Sequence, residues 1–499
     1  MQNGTLLAAV DLGSNSFRLE IGRHDAGQIN RSEYLKETVR QGNGLDADRN
    51  LTLDAMQRGW DCLARFGERL AGFKKPHVRA VATQTLREAR NRDEFLTRAN
   101  KLLGFPIDVI SGREEARLIY QGVAHMLPQS DERRLVVDIG GRSTEMIVGK
   151  GMQARTMESY RVGSVAWSMK YFPDGHFSAR AFESAEIAAK AVLDEATNCY
   201  SASAWDVAYG SSGTIGAVSD ALSAAGWAPG LVTREGLDWL LDCLVKAQHA
   251  DRLKIEGMKE DRRAVIGGGV SVLRAVFDLL GITQMHAASG ALRHGVLYDL
   301  LDREQSVTDI RSASVDRLAS KFDTDRVQSQ RVSKVARQFF LKLSAQRPQA
   351  NQERYMRKLQ WAAQLHEIGS KISHSDYHKH GAYILGNADA PGFAQPELHR
   401  LSLLVLGHRG KLRKLDADFE DQPFIEQLIC LRIAVILCHA RRDPDLEGLE
   451  IKAANADTKG FVLGYKKDWS KIYPQSVHLL REEVLAWQKT PWSLSLYEC

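Results

Sequence analysis

A duplicated hairpin is the strongest constraint on how this chain folds. DLGSNSFRLEIG at 11–22 aligns with DIGGRSTEMIVG at 138–149, 127 residues on. Asp11/Asp138, Gly13/Gly140, Ser16/Ser143 and Gly22/Gly149 are identical, and Leu12/Ile139, Leu19/Met146 and Ile21/Val148 are apolar in both copies. Each copy reads as an apolar strand, a tight turn of glycine beside an acid, and a second strand. Two such units predict two similar half-domains facing one another, with the turns opposed across a cleft.

The surroundings carry the same pattern. LLAAVDLG, FRLEIGRH, VRAVAT and IDVIS are short and β-branched or alternating, while 52–72 and 91–103 have apolar residues at helical spacing. The pattern restarts at RLVVDIGG and TEMIVGK, with helical stretches near 178–200, 213–225 and 234–248 and a glycine cluster at Gly267, Gly268 and Gly269. This predicts an α/β chain to about residue 300. From 306 to 440 strand-like alternation is rare. VDRLASKF, RVSKVARQFFLKL, YMRKLQWAAQLHEIG, HRLSLLVLGH and FIEQLICLRIAVILCHA read as helices. The polar LLDREQSVTDIRSAS places the boundary near 300–310, and a small strand-and-helix ending is expected from 450.

With 499 residues the chain needs about three domains. Its 44% hydrophobic and 26% charged residues exclude wholesale disorder. No apolar run approaches the ~18 residues of a membrane span. The start, MQNGTLLAAVDLGSN, has no basic region and carries Asp11, so no signal peptide is expected. Six scattered cysteines without C-x-x-C pairs argue against zinc ribbons and a disulfide framework, and fit the cytoplasm. Cys430 and Cys438 lie in an apolar helical run and are expected to pack in a core. Residues 301–499 hold 30 Lys and Arg against 25 Asp and Glu, while 1–300 hold 37 of each. The whole +5 surplus lies in the last two fifths, which suits an anionic partner or simply a solvated surface.

Opposed Asp-x-Gly-x-x-Ser turns have a chemical reading. Glycines let backbone N–H groups approach a phosphate, and Ser and Asn add neutral donors. The aspartates repel phosphate unless a hard cation such as Mg²⁺ intervenes. One such turn is usually only a hairpin; two copies plus the later glycine cluster suggest a metal–phosphate clamp. Elsewhere, Ser111-x-x-Glu114 has the form of a capping box, which gives Glu114 a structural role. Glu115 shares a helix face with Leu118, Ile119 and Gly122. A carboxylate on that semi-apolar face tends to a raised pKa and suits general-base work, while the alternative is simple stabilisation of a helix N-terminus.

DLGSNSF at 11–17, ATQTLREARN at 82–91, SGREEARLIYQGV at 111–123, DIGGRSTE at 138–145, YGSSGT at 209–214 and GALRHGVLY at 290–298 resemble the exopolyphosphatase/guanosine pentaphosphate phosphohydrolase family. The resemblance continues through WAAQLHEIG, HSDYHKHGAYIL and LVLGHRGKLRKL. It implies two actin/Hsp70/sugar-kinase-like (ribonuclease H-like) α/β lobes and a mostly helical HD-like domain. Lobe I is expected at 1–125 with a return segment at about 291–304, lobe II at 126–304, and the helical domain with its small extension at 305–499.

The resemblance also implies residue roles. Glu115 corresponds to a catalytic base, and Asp138, Glu145 and Asp11 to metal-site carboxylates. Gly13, Ser14, Asn15 and Ser16 correspond to the first phosphate loop, and Gly140, Gly141, Arg142, Ser143 and Thr144 to the second. Arg87 and Gly213 are expected at the substrate phosphates. Arg409, Lys411, Arg413 and Lys414 form a basic strip that could hold the distal part of a polyanion, although a solvated loop is the plainer reading.

Three positions depart from the family pattern: Arg142 where a third glycine is usual, Ser289 where Asp precedes GALR, and His294 where Glu is usual. In the HD-like part, His366-Glu367 replaces His-Asp, Gln330 stands near the first ligand position, and RIAVILCHARR lacks the last Asp. The six histidines between 366 and 408 are therefore expected to pack rather than bind metal. The expected activity is exopolyphosphatase, releasing orthophosphate from the end of inorganic polyphosphate. The alternatives are 5′-phosphate hydrolysis of guanosine pentaphosphate, kinase-like phosphotransfer, and non-catalytic binding of polyphosphate or alarmone. Mg²⁺, a monovalent cation such as K⁺, and a cytoplasmic homodimer complete the expectation, with no nucleic-acid partner.

Overall fold

The computed structural model describes residues 2–25, 27–128, 130–304, 309–412, 415, 417–454 and 459–498. The chain separates into two compact units, Met1–Asp309 and Ile310–Cys499.

The first unit is built on two sheets. One contains β1 (Leu6–Leu12), β2 (Phe17–Asp25), β3 (Gln28–Glu37), β4 (Val78–Ala82) and β5 (Ile107–Val109), ordered β3-β2-β1-β4-β5. The other contains β6 (Arg133–Ile139), β7 (Thr144–Lys150), β8 (Gln153–Tyr160), β9 (Val207–Ser211), β10 (Leu231–Thr233) and β11 (Gln284–Ala287), ordered β10-β11-β9-β6-β7-β8. The repeated hairpins are β1–β2 and β6–β7. In each sheet the first hairpin strand pairs antiparallel with the second and parallel with a strand reached through helices, β4 or β9. The two sheets share a five-strand order, with β10 added at the edge of the second, and form the paired lobes of an actin-like fold.

Strand alternation then decides where the acids point. Ala8, Val10 and Leu12 face a core with Met56, Trp60 and Leu63 of α1 (Leu53–Arg69). Leu7 and Ala9 face the opposite layer, which also holds Val136 and Ile147 of the second sheet, Leu118, Ile119 and Val123 of α4 (Gly112–Met126), and Val296 of the helix Leu292–Glu304. With a period of two, Asp11 continues the row Leu7–Ala9, and Asp138 continues the row from Val136. Both aspartates thus leave the C-terminal ends of parallel-paired strands into the layer between the lobes, where ligand crevices form in such sheets.

Ser111 caps α4 by accepting the Glu114 N–H at 3.2 Å, as the capping pattern predicts. Glu114 does more than the pattern implies. Its carboxylate is fully buried and accepts from Arg117 Nε at 2.8 Å and from Arg79 Nη2 at 3.4 Å.

The second unit contains helices Ile310–Lys321, Arg326–Leu343, Gln349–Leu365, Tyr377–Asn387, Gln395–Gly407 and Gln422–Leu437. A small sheet follows, ordered β12 (Leu449–Ala453), β13 (Gly460–Tyr465), β14 (Ser493–Glu498). Cys430 and Cys438 are buried in its core. His366 and His408 are buried too. Each donates from Nδ1 to a carbonyl in the preceding turn, Ala363 O and Val405 O, and burial favours the neutral ring in both. Among the described residues no group of three or more His, Cys, Asp or Glu is arranged to hold a metal ion.

Candidate active site

A cleft of about 350 Å³ lies between the two hairpin turns. The first turn contributes Gly13, Ser14, Asn15 and Ser16; the second contributes Gly140, Gly141 and Ser143. The turns approach closely because Gly141 has no side chain: a Cβ there would lie 3.0 Å from Ser14 Cβ and 3.2 Å from Val165 Cγ2. Gly13 and Gly140 are similarly confined by the carbonyls of Ser16 and Ser143, at 3.0 and 3.1 Å. Ser14 Oγ accepts from Thr85 Oγ1 at 2.7 Å. Asn15 Nδ2 and Ser16 Oγ are buried without a protein partner, which leaves two donors for a ligand oxygen.

Four carboxylates gather here from four elements, β1, β6, β7 and α4. Asp11 and Asp138 occupy equivalent hairpin positions, but their cross-strand partners differ: Asp11 faces Arg18, and Asp138 faces Glu145. Arg18 Nη1 donates to Asp11 Oδ2 at 2.9 Å. Glu145 accepts from Ser159 Oγ at 2.7 Å. The hydroxyls of Ser211 and Ser212 flank Asp138 but donate to carbonyls, Gly290 O at 2.9 Å and Ile139 O at 3.1 Å. Glu115 accepts from Arg87 Nη1 at 2.7 Å. Burial raises the pKa of Asp138. Burial also raises Glu115, against the Arg87 cation, with Asp11 and Asp138 adding repulsion. Glu145 is raised furthest above its ordinary value, by burial and then by the charges of Glu115 and Asp138.

The excess negative charge suits a hard cation, though no three of these acids are arranged to hold one by themselves. Two of the four acids, Asp138 and Glu145, have no ion-pair partner among the described residues, and a cation would relieve the excess charge. A Mg²⁺ ion needs only one or two carboxylates, with water and phosphate oxygens filling the other positions.

Several expected residues take other places. Arg87 does not line the cleft. Its guanidinium is committed to Glu115, to the Ile110 carbonyl at 3.0 Å and to Gln84 Oε1 at 2.6 and 3.1 Å. It holds the Glu115 carboxylate in place. Arg142 also turns away, binding Gly42 O at 3.1 Å and Glu88 Oε2 at 3.0 Å, so it ties the second turn to lobe I. Thr144 donates to Val162 O and is buried. Gly213 does line the cleft, under the Arg262 side chain. The Gly267–Gly269 cluster is not a phosphate loop. It lies in the helix Ile266–Leu280, where a Cβ on Gly268 would come within 2.4 Å of Ser164 O. Its glycines let that helix pack against Ser164–Tyr171. Arg409 and Lys411 are exposed, and Arg413 and Lys414 lie outside the described residues.

Sequence reasoning missed the cations of the wall: Arg18, Lys36, Lys259, Arg262 and Arg293. Lys36 Nζ of β3 donates to Asp261 Oδ2 of lobe II at 2.7 Å. Arg18 was within reach, because the register of a short hairpin places it opposite Asp11. The others come from segments without a hairpin or capping signal.

Arg87 supplies a test of this geometry. Removing its charge in Arg87→Gln lets the Glu115 pKa rise further, because the cation favours the ionised form. The acid limb of the kcat profile should therefore move to higher pH. An unmoved limb would detach Glu115 from the rate.

Residues 21–304 match the model of the Ppx/GppA phosphatase family, and residues 310–485 match that of Ppx/GppA phosphatase, domain III. A Vibrio atlanticus protein named guanosine-5′-triphosphate,3′-diphosphate pyrophosphatase is 39% identical over 500 residues, covering 99% of this chain and 98% of the relative. Its namesake from Pseudoalteromonas translucida is 38% identical over 492 residues, covering 98% and 97%. Among solved structures, an exopolyphosphatase from Cytophaga hutchinsonii superposes with a TM-score of 0.54 at 25% identity, over 60% of this chain and 98% of that one. The Aquifex aeolicus member of the Ppx/GppA family superposes with a TM-score of 0.51 at 24% identity, over 60% and 99%, a likeness of fold.

Proposed function

Because the chain belongs to the Ppx/GppA phosphatase family, whose members hydrolyse phosphoanhydrides, we propose that it removes the terminal 5′-phosphate of guanosine pentaphosphate. The observation that carries this choice is the near full-length identity, 37–39%, to relatives named for that substrate. It reverses the order expected from sequence, which put inorganic polyphosphate first. Polyphosphate stays as a second reading. The turns, carboxylates and wall cations suit phosphate groups of either substrate, and the Cytophaga structure bears the exopolyphosphatase name. For long chains, the exposed Arg409 and Lys411 of the second unit would each neutralise a chain phosphate.

In the proposed reaction the water oxygen bonds to the terminal phosphorus and its proton passes to Glu115. The P–O bond to the next phosphate breaks, leaving guanosine tetraphosphate and orthophosphate. Arg87 aims the Glu115 carboxylate, and burial keeps that group basic enough to take a proton. Asn15 Nδ2, Ser16 Oγ and the glycine-turn backbone would bind the oxygens on which charge accumulates. Mg²⁺, held by Asp138 with Glu145 and Asp11 nearby, would supply charge neutralisation. A K⁺ requirement, a homodimer and a cytoplasmic location belong to the same proposal.

The test is phosphate release from guanosine pentaphosphate and long polyphosphate side by side, across a Mg²⁺ titration. Faster release per enzyme from guanosine pentaphosphate is expected; strong preference for polyphosphate would restore the other order. Asp138→Asn should raise the Mg²⁺ concentration giving half-maximal rate, because it removes an anionic donor. An unchanged requirement would place the ion elsewhere.

A further inference from the structure

Glu20 is a buried charge to which the reaction assigns no task. It is 2% exposed on β2, between strand neighbours that are themselves buried and apolar. Burying a carboxylate is costly unless it is paired, so its partners point to a purpose. Alternation places Glu20 on the same strand face as Arg18. The register sets Arg18 opposite Lys36 and Glu20 opposite Tyr34, and Arg18, Lys36 and Tyr34 all line the cleft.

Arg293 lies over the Glu20–Tyr34 rung. Its Nε donates to Glu20 Oε2, and its guanidinium carbon stands 4.9 Å from the centre of the Tyr34 ring. Arg293 also lines the cleft, and among the described residues its two Nη groups have no hydrogen-bond partner. The second oxygen of Glu20 is 3.3 Å from His294 Nε2. His294 Nδ1 accepts the Ala291 N–H at 3.1 Å, so Nε2 carries the ring proton and donates to Glu20. Burial opposes ionisation of Glu20, but the bonds from His294 and Arg293 outweigh it and hold its pKa low. Position 294 is where the family resemblance places a glutamate; in this chain the carboxylate comes from β2.

We propose that Arg293 binds a substrate phosphate beyond the reacting one, and that Glu20 and Tyr34 are positioning residues for its guanidinium. The glycine turn ends at Ser16. The Glu20 rung lies two residues further along β2 than Arg18, about 7 Å from it, so Arg293 meets a more distal part of the anion. This rests on the phosphoanhydride reading of the cleft. The Nε bond and the aromatic face fix the plane of the guanidinium and leave both Nη groups to the ligand, an arrangement lysine cannot reproduce.

Steady-state kinetics of the full chain on guanosine pentaphosphate should show Arg293→Ala raising KM about 10-fold or more with kcat changed far less. Arg293→Lys should not restore KM. Glu20→Gln should raise KM in the same sense, and the double variant Glu20→Gln/His294→Glu should recover it, because a carboxylate at 294 occupies the reach of the present imidazole. A fall in kcat at unchanged KM for Arg293→Ala overturns the proposal. So does a Glu20→Gln defect that the double variant leaves in place while its melting temperature matches that of the unsubstituted chain. If the chain hydrolyses neither substrate, the proposed function fails separately, and calorimetric titration with tripolyphosphate and Mg²⁺ decides this inference. Weaker binding by Arg293→Ala supports it, and equal binding overturns it.

Discussion

Glu115→Gln is expected to lower turnover by about 10²–10⁴-fold, the usual consequence of losing a general base. The amide keeps the shape and can still face Arg87, so substrate affinity should change little. The expected signature is a collapse of kcat with KM nearly constant, measured by phosphate release, while calorimetry still detects tripolyphosphate. Near-normal turnover in this variant would remove Glu115 from the reaction. The pH dependence has a definite sign. Burial and the neighbouring Asp11 and Asp138 raise the Glu115 pKa. A base must be ionised to accept a proton, so the rate should rise with pH through a value above the ordinary ~4.3 of glutamate.

The largest stability effect is expected at Asp299, remote from the chemistry. Its carboxylate is fully buried in the helix Leu292–Glu304 and accepts from Arg79 Nη1, from Arg117 Nη2 at 2.5 Å and from Arg303 Nε at 2.5 Å. Glu114 joins the same network through Arg117 and Arg79. These bonds tie β4, α4 and the returning helix together behind the cleft. Asp299→Asn leaves Glu114 as the one fully buried carboxylate facing Arg79 and Arg117 and removes the Arg303 pair, and should cost about 3–5 kcal/mol. Urea denaturation should show a lower midpoint at an unchanged slope. Glu114→Gln should cost more than the ~1 kcal/mol of a lost helix cap, for the same reason. The three arginines outweigh the burial penalty and depress the Asp299 pKa below its unfolded value of about 3.9. The stabilisation is therefore fully present above that value and is lost as pH falls through the folded pKa. An Asp299→Asn variant with the original urea midpoint would show that the network contributes nothing net.

The residues legible in the sequence are those whose placement depends on near neighbours. The two hairpins follow from apolar alternation on either side of a glycine turn. The same period of two sends Asp11 and Asp138 toward the layer between the lobes. Ser111 marks the start of α4, which carries Glu115 on the face holding Leu118 and Ile119. The helical second unit follows from apolar spacing in stretches such as FIEQLICLRIAVILCHA. Turn chemistry, capping and strand period all act over a few residues, so the order of the amino acids carries them.

Tertiary structure decided the partners of the long charged side chains. The TLREA arginine, Arg87, holds Glu115, 28 residues away. Arg142, in the middle of the second glycine turn, reaches Glu88. Gly267–Gly269, another glycine run, serves helix packing, because only the folded chain brings Ser164 and Ser168 against it. Arg293 and Glu20 meet across 273 residues, and Asp299 gathers an arginine 220 residues upstream. A guanidinium spans many possible partners and carries no periodic signature. Its partner is chosen by which acid is buried within its reach once the sheets and helices have packed. The sequence alone therefore determined the two turns, their acids and the helix bearing Glu115. Only the packed lobes determined which cations face the cleft and which hold its acids in place, because burial and proximity between distant segments exist only in the folded chain.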